Sequence, residues 1–120
     1  MANAIDVINK FLEQPEKILD SSGFGEEYYF QYGQHFFSVA KRTRDLQKFG
    51  EFTFYVYPNW KSSIKDLIAE LQGFSGQEIP MVSYHVAEYP EMRHLVVRLY
   101  KMLEEKSHKV DKIFDDILSE

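Results

Sequence analysis

Two runs rich in aromatic and β-branched residues, at positions 26–32 and 35–42, are separated only by Gly33-Gln34. Glycine at the first central position of a two-residue loop predicts a type II′ β-hairpin, and this turn fixes the register of the two strands. Tyr32 then lies opposite His35. The register pairs Phe30 with Phe37 and Tyr28 with Val39 on one side of the sheet, and Gln31 with Phe36 and Tyr29 with Ser38 on the other. One side is therefore apolar and the other is mixed.

Two more segments continue the strand pattern. Residues 51–58 predict a third strand, which completes an antiparallel meander. Its alternation places Phe52, Phe54 and Val56 on the apolar side, and Thr53, Tyr55 and Tyr57 on the mixed side. A fourth strand is expected within residues 79–87, where Val82, Tyr84 and Val86 alternate with Met81, Ser83 and His85.

Two segments before the fourth strand have the apolar spacing of amphipathic helices. Residues 3–20 predict the first helix, with a kink or restart at Pro15, because proline lacks the amide donor. Residues 59–72 carry the clearest stripe of the chain, made of Ile64, Leu67, Ile68 and Leu71. A glycine-containing loop is expected after it, at residues 73–78.

The last helix is expected over residues 90–118. A straight helix of this length would measure about 43 Å, whereas a domain of this size is roughly 35 Å across. We therefore expect the helix to break near Ser107 or to project beyond the body. Its end combines acidic residues with the apolar set Val110, Ile113, Phe114, Ile117 and Leu118. This end would pack on the body, pair with a second copy or dock on a basic partner.

The order α-β-β-β-α-β-α predicts an α+β fold with an antiparallel sheet of about four strands, flanking helices and a long C-terminal helix. A length of 120 residues fits a single domain over residues 1–120. In size, acidic charge and element order the chain resembles small acidic secretion chaperones, which also combine a sheet with flanking helices and form dimers. No sequence motif carries this resemblance, so it assigns no residue a role.

Charge and composition narrow the classes of function. The net charge of −5 opposes broad electrostatic binding to nucleic acid or anionic lipid. The chain has no cysteine, which excludes disulfides and thiolate chemistry. No apolar run approaches the roughly 20 residues that span a bilayer, and Asp6 lies where a signal peptide would be apolar. We expect a cytoplasmic protein that binds neither nucleic acid nor membrane.

The mixed side of the sheet is the unusual surface of this chain. Its large side chains are Tyr29, Phe36, Tyr55 and Tyr57, and Trp60 follows directly after the third strand. If all helices pack on the apolar side, these aromatic side chains face solvent and form a docking surface for a protein partner. If the long C-terminal helix covers them, they form a second layer of core. The sequence is compatible with both outcomes.

Two other groups of residues offer alternative sites. Tyr84, His85 and His94 would line a small-molecule or catalytic pocket if the fourth strand runs directly into the last helix. Lys41, Arg42, Arg44 and Lys48 would together bind an anion, which is a phosphate, RNA or an acidic partner, or would only protect the sheet from edge pairing as part of a polar loop. Nucleic-acid recognition through this loop is the third and least favoured hypothesis. Known catalytic and metal-binding motifs do not occur in the sequence, so we expect no catalytic residue, metal or cofactor.

The leading functional hypothesis is a non-enzymatic protein-binding module of adaptor, chaperone-like or immunity type. It would use the aromatic sheet face and an acidic surface, with a homodimer through the C-terminal helix as a further expectation. The alternative is a small-molecule-binding domain or an enzyme with a sheet–helix pocket near His85 and His94.

Overall fold

Five antiparallel strands, each paired with the next one in the chain, form the centre of the structure. The structure is a computed structural model that describes residues 3–73 and 78–120. The strands are β1 (Ile18–Phe24), β2 (Glu27–Tyr32), β3 (His35–Lys41), β4 (Phe52–Tyr57) and β5 (Val82–His85). The α+β fold, the antiparallel sheet and the flanking helices are confirmed, and the sheet has one strand more than the sequence predicts.

The predicted β2–β3 hairpin is confirmed residue by residue. Tyr32 pairs with His35, Phe30 with Phe37 and Tyr28 with Val39. Gly33 has a φ of 62°, the left-handed value that the first central position of a type II′ turn requires. Strand β4 follows with its side chains on the predicted faces, with Val39 opposite Phe54 and Ser38 opposite Tyr55.

The additional strand is β1, and it corrects the prediction of a helix that extends to residue 20. Helix α1 spans only Ala4–Glu13, and a short 3-10 turn over Pro15–Lys17 leads into the strand. Of the seven β1 residues only Ile18 is buried, so the strand lacks the alternation of apolar and polar residues from which strands are recognised. Its register also shifts between Leu19 and Ser22, where Asp20 has a φ of 45°. This bulge interrupts the two-residue alternation of side chains along the strand, so the sequence does not show it.

Two helices cover the apolar side of the sheet, which we call the first face. They are α1 and α4, which spans Arg93–Ser107. Helix α1 begins with a capping box, in which Asn3 and Asp6 each accept a hydrogen bond from the other's backbone amide. The buried members of this first core are Ile8, Phe11, Ile18, Tyr28, Phe30, Phe37, Val39, Phe52, Phe54, Val86, Met92, Val96, Leu99, Tyr100 and Leu103.

One helix covers part of the mixed side, which we call the second face. It is α3 (Ile64–Leu71), whose start is capped by the Ser63 side chain bonded to the Asp66 amide. Ile64 and Leu67 are buried against the sheet, together with Ile79. The sheet is therefore packed on both sides, and the helix of the second face is α3 rather than the C-terminal helix.

The remaining helices lie in the loop before β4 and at the end of the chain. Helix α2 (Leu46–Phe49) is a single turn within the predicted polar loop. Helix α4 ends at Ser107, and α5 (Val110–Leu118) follows after Lys109, which has a φ of 54°. This confirms the predicted break near Ser107. The loop predicted at residues 73–78 lies mostly outside the described residues. In the described ranges no helix combines the length and the apolar character needed to cross a membrane.

Candidate functional site

The second face does not present the predicted aromatic surface to solvent. Tyr29, Phe36 and Tyr57 are only 3%, 4% and 3% exposed, because α3 packs on them. The alternative in which these side chains face solvent is therefore wrong, and they belong to a second core. Tyr55 and Trp60 pack at its margin and stay partly exposed. The Trp60 Nε1 donates a hydrogen bond to the Ser63 carbonyl oxygen at 3.0 Å, so this ring is fixed against the start of α3.

A chain of hydrogen bonds runs across the second face beside this core. The Ser38 hydroxyl donates to the Glu27 carboxylate at 2.5 Å and lies 2.7 Å from the Tyr57 hydroxyl. Because the single Ser38 proton is directed at Glu27, the Tyr57 hydroxyl acts as donor to Ser38. Ser38 is fully buried, so both of its bonds offset the desolvation of its hydroxyl.

A concavity of about 260 Å³ opens next to this chain of hydrogen bonds. We call it the Glu27 cleft, and it is lined by Glu27, Tyr29, Tyr55, Tyr57, Leu71, Gln72 and Met81. Burial, and after it the charge of Glu27, raise the pKa of Tyr29 and of Tyr57. Both hydroxyls are therefore neutral donors at physiological pH.

The cleft is bounded on the β5 side by a cluster around Arg42. The Arg42 guanidinium donates to the Thr53 hydroxyl oxygen at 2.9 Å and to the Tyr55 hydroxyl. It also lies over the Phe49 ring, 4.8 Å from the ring centre. Thr53 lies 2.8 Å from the Nδ1 of His85. Because Thr53 accepts from Arg42, its own proton is available to Nδ1 of a neutral imidazole.

The environment of His85 favours this neutral imidazole. Burial, followed by the positive charge of Arg42, lowers the pKa of His85, and Lys48 adds to the effect while Glu88 opposes it. The Phe49 ring packs on the imidazole at a centroid distance of 4.6 Å. His85 therefore serves as a fixed hydrogen-bonding group of the second face.

The structure does not bring the three residues of the alternative pocket together. Tyr84 and His85 are consecutive strand residues and point to opposite faces. Tyr84 lines a groove of the first face with Ala4 and Val7, whereas His85 bonds to Thr53 on the second face. His94 is exposed on α4, which packs on the first face.

The four basic side chains of the loop before β4 likewise lie in different surroundings. Arg42 is turned inward to Thr53 and Tyr55, and the Lys48 ammonium lies 5.0 Å from the centre of the Phe49 ring. Lys41 and Arg44 are exposed. The four side chains therefore do not converge on one anion site.

Helix α5 is the largest departure from ordinary packing. Ile113, Phe114, Ile117 and Leu118 are 51%, 58%, 59% and 82% exposed. Every residue from Asp111 to Glu120 is classed as exposed, so α5 does not pack on the body by its apolar side. Of the three outcomes predicted for this segment, packing on the body is wrong for these four side chains.

A shallow groove runs along the outer surface between α1 and α4. It has a volume of about 330 Å³ and is lined by Leu12, Arg98, Lys101, Met102 and Glu105. We call it the α1–α4 groove. Its floor is apolar, and its rim carries two cations and one carboxylate.

Sequence reasoning missed Glu27 and Ser38 as members of a site. The signal was present in the hairpin register, because Tyr29 faces Ser38 and Glu27 lies two residues from Tyr29 on the same side. What the register did not show is that α3 leaves this part of the second face uncovered.

Within residues 3–73 and 78–120, no three histidine or acidic side chains are grouped as a metal ion would need. Comparison with known protein families, with curated proteins and with solved structures gives no significant match to this chain.

Proposed function

We propose that this protein is a non-enzymatic protein-binding module whose docking element is helix α5. The observation that carries the proposal is the exposure of four large apolar side chains on one stripe of that helix. An amphipathic helix of this kind binds by laying its apolar side into an apolar groove. The partner is a second copy of the chain, which offers its α1–α4 groove.

Helix α5 needs a partner for its own stability. It has nine residues, and isolated helices shorter than about 12–15 residues are marginal in water. Asp115 and Asp116 also place negative charge in its last turn, where the helix dipole is already negative. Burial of the apolar stripe offsets these costs.

The charges of the helix and of the groove are complementary. Helix α5 carries three aspartates and one lysine, and the rim of the groove carries Arg98 and Lys101 beside Glu105. At 100° per residue, Asp115 and Asp116 lie on the two borders of the apolar stripe. A helix seated on Leu12 and Met102 would therefore bring an aspartate to a cationic rim.

The free energy gained by burying the α5 side chains is close to the cost of association, which favours a weak symmetric dimer. Burying the exposed parts of these four side chains gives roughly 1 kcal/mol each, about half of the value for complete burial. In a two-fold dimer both copies contribute this contact, so the total is roughly 8 kcal/mol. Association itself costs about 4–15 kcal/mol. With the association cost at the low end of this range, about 4 kcal/mol remain, which corresponds to a dissociation constant on the order of 1 mM.

Sedimentation equilibrium of the full chain tests the proposal. The wild-type protein should self-associate, and the double variant Phe114→Ser/Ile117→Ser should remain a monomer. Phe24→Ser is the matched control, because Phe24 is also about half exposed, at 50%, but lies on β1. A wild-type protein that is monomeric at millimolar concentration contradicts the second copy as partner.

Charge reversal tests the groove independently of the helix. Arg98→Glu/Lys101→Glu should abolish self-association, and adding Asp115→Lys/Asp116→Lys to the same chain should restore it. If the first variant associates as the wild type does, α5 binds elsewhere. Loss without restoration shows that the rim charges do not meet these aspartates.

A further inference from the structure

We propose that the Glu27 cleft is a binding site for an organic ammonium group, such as a lysine side chain or a small amine. The site lies on the second face, away from α5 and from the α1–α4 groove. The inference is therefore independent of the function proposed above.

The first argument is the uncompensated charge of Glu27. The Ser38 hydroxyl holds one carboxylate oxygen at 2.5 Å, the Tyr57 hydroxyl is 3.4 Å from the same oxygen, and the Tyr29 hydroxyl also bonds to this carboxylate. All three partners are neutral. No lysine or arginine in the described residues forms an ion pair with Glu27; the ion pair of Arg93 with Glu51 lies elsewhere. A carboxylate has about four acceptor positions, so this one has capacity for a cationic donor.

The second argument is the lining of the cleft. Three tyrosine rings line it, with centroids 6.3 Å apart for Tyr29 and Tyr57 and 6.4 Å apart for Tyr55 and Tyr57. Tyr29 and Tyr57 are nearly covered, so the partly exposed ring of Tyr55 is the one that a cation can reach. Aromatic rings beside a carboxylate are the surroundings that alkylammonium groups prefer, because the electron-rich ring attracts a cation. Leu71 and Met81 add an apolar wall for the alkyl stem.

The size of the cleft sets the class of ligand. Its volume of about 260 Å³ is roughly nine times the share of one water molecule, and lies below the roughly 300–1,000 Å³ of drug-sized pockets. One side chain or one small amine fits this space.

The tyrosine hydroxyls support the same ligand. Burial and the charge of Glu27 raise the pKa of Tyr29, Tyr55 and Tyr57, although Arg42 opposes this at Tyr55. The three hydroxyls are therefore neutral at neutral pH, and Glu27 is the acidic residue of the cleft lining. Arg42 is held by Thr53 and Tyr55 and does not line the cleft.

Titration calorimetry on the full chain tests the site with Nα-acetyl-lysine amide as the probe. We expect saturable binding with a dissociation constant on the order of 1 mM. Nα-acetyl-norleucine amide, which keeps the alkyl stem without the charge, should bind at least tenfold more weakly. Equal binding of the two probes would show an unspecific apolar pocket and overturn the proposal.

Two variants locate the binding. Glu27→Gln should weaken binding of the lysine probe at least tenfold, whereas Glu26→Gln, which removes the same charge one residue away, should change it less than twofold. Met81→Lys provides a second test if Glu27→Gln fails to fold, because it places an ammonium at the cleft and should block the probe. Unchanged binding in the folded Glu27→Gln or Met81→Lys variant contradicts the site, as does the absence of binding to the wild-type protein.

Discussion

The two faces of the sheet are covered to different extents and by different kinds of side chain. On the first face, two helices press apolar and aromatic side chains together, and the Phe11 ring lies 5.1 Å from Phe30 and 4.9 Å from Phe37. On the second face, one helix of eight residues covers only part of the sheet. The rest is occupied by hydroxyls, a carboxylate, a guanidinium and an imidazole that bond to one another.

The apolar packing of the first face and the polar groups of the second face suit different roles, the first stabilising the fold and the second binding a ligand. Apolar contacts stabilise in proportion to the area they remove from water, and they carry little chemical information. Hydrogen-bonded polar groups add less net stability, but they define which ligand atoms fit beside them. We therefore expect the first face to dominate the free energy of unfolding and the second face to carry ligand specificity.

The largest effect should come from the first face. Phe30→Ala removes a fully buried ring and should lower the free energy of unfolding by about 3–5 kcal/mol. Urea denaturation followed by circular dichroism measures the change. Phe24→Ala, at the half-exposed end of β1, should cost no more than about 0.5 kcal/mol. A similar loss of unfolding free energy in the two variants would contradict the expectation that the first face dominates stability.

A smaller effect is expected under α3. Leu67→Ala removes a fully buried side chain and should cost about 2–3 kcal/mol, at the low end for leucine, because the second core is small and can relax. The same denaturation experiment applies. A cost above that of Phe30→Ala would mean that the second core, rather than the first, dominates folding.

The tyrosines of the second face should make the protein sensitive to alkali. Tyr29 and Tyr57 have pKa values raised by burial, so the unfolded chain releases their protons near pH 10 while the folded chain retains them. The contribution of each tyrosine to the free energy of unfolding is fully present below pH 10. Above pH 10 the free energy of unfolding falls by about 1.4 kcal/mol per pH unit for each tyrosine. Tyr57→Phe should remove one such contribution from the slope of unfolding free energy against pH. An unchanged slope would mean that Tyr57 titrates normally in the folded protein.

The first face offers a comparison for this titration. Burial raises the pKa of Tyr100 to about 12, so this group should ionise in the folded protein before Tyr29 and Tyr57 do. Absorbance of tyrosinate against pH, recorded beside circular dichroism, distinguishes ionisation from unfolding.

The hydrogen bonds among Ser38, Glu27 and Tyr57 should contribute modestly to the free energy of unfolding. Ser38→Ala removes the donor to Glu27 and the acceptor of Tyr57, which should cost about 1 kcal/mol, because the Tyr57 hydroxyl can turn to Glu27. Ser22→Ala on exposed β1 is the control and should leave stability unchanged. A cost near that of Leu67→Ala would show that the polar part of this face is as important for stability as its apolar part.

The smallest effect is expected at α5. Phe114→Ser alters a side chain that is 58% exposed and should change the unfolding free energy of the dilute monomer by less than about 0.5 kcal/mol. Thermal denaturation at low protein concentration measures it. A large loss would assign Phe114 to the core of the monomer and remove α5 as a docking element.

The sequence predicted the parts of this structure that depend on local chemistry. Gly33 and the alternation of residues 26–42 determine the hairpin register, and the stripe from Ile64 to Leu71 predicts α3 with its buried side. Strand β1 was missed because its backbone pairs with β2 while its side chains stay mostly exposed. Such a strand is held by the ladder of hydrogen bonds, which leaves no hydrophobic pattern.

The candidate sites were predictable only in part. The sequence singled out Tyr29, Tyr55 and Tyr57, which line the Glu27 cleft, but the expectation of an open face failed. Which side α3 covers depends on its long-range packing, and the loop from Tyr57 to Ile64 permits either side. The sequence predicted the break near Ser107, but not the direction that the turn at Lys109 gives to α5, and this direction leaves Phe114 and Ile117 exposed.

The irregularity of β1 has a consequence for how the molecule avoids fibrils. An edge strand with regular, flat backbone groups can template the addition of another chain. Here one outer edge is bent by the bulge at Asp20, and the other belongs to β5, which has only four residues. Neither edge favours the addition of further strands, so the exposed apolar side of α5 is not accompanied by a sheet edge that would template fibrils.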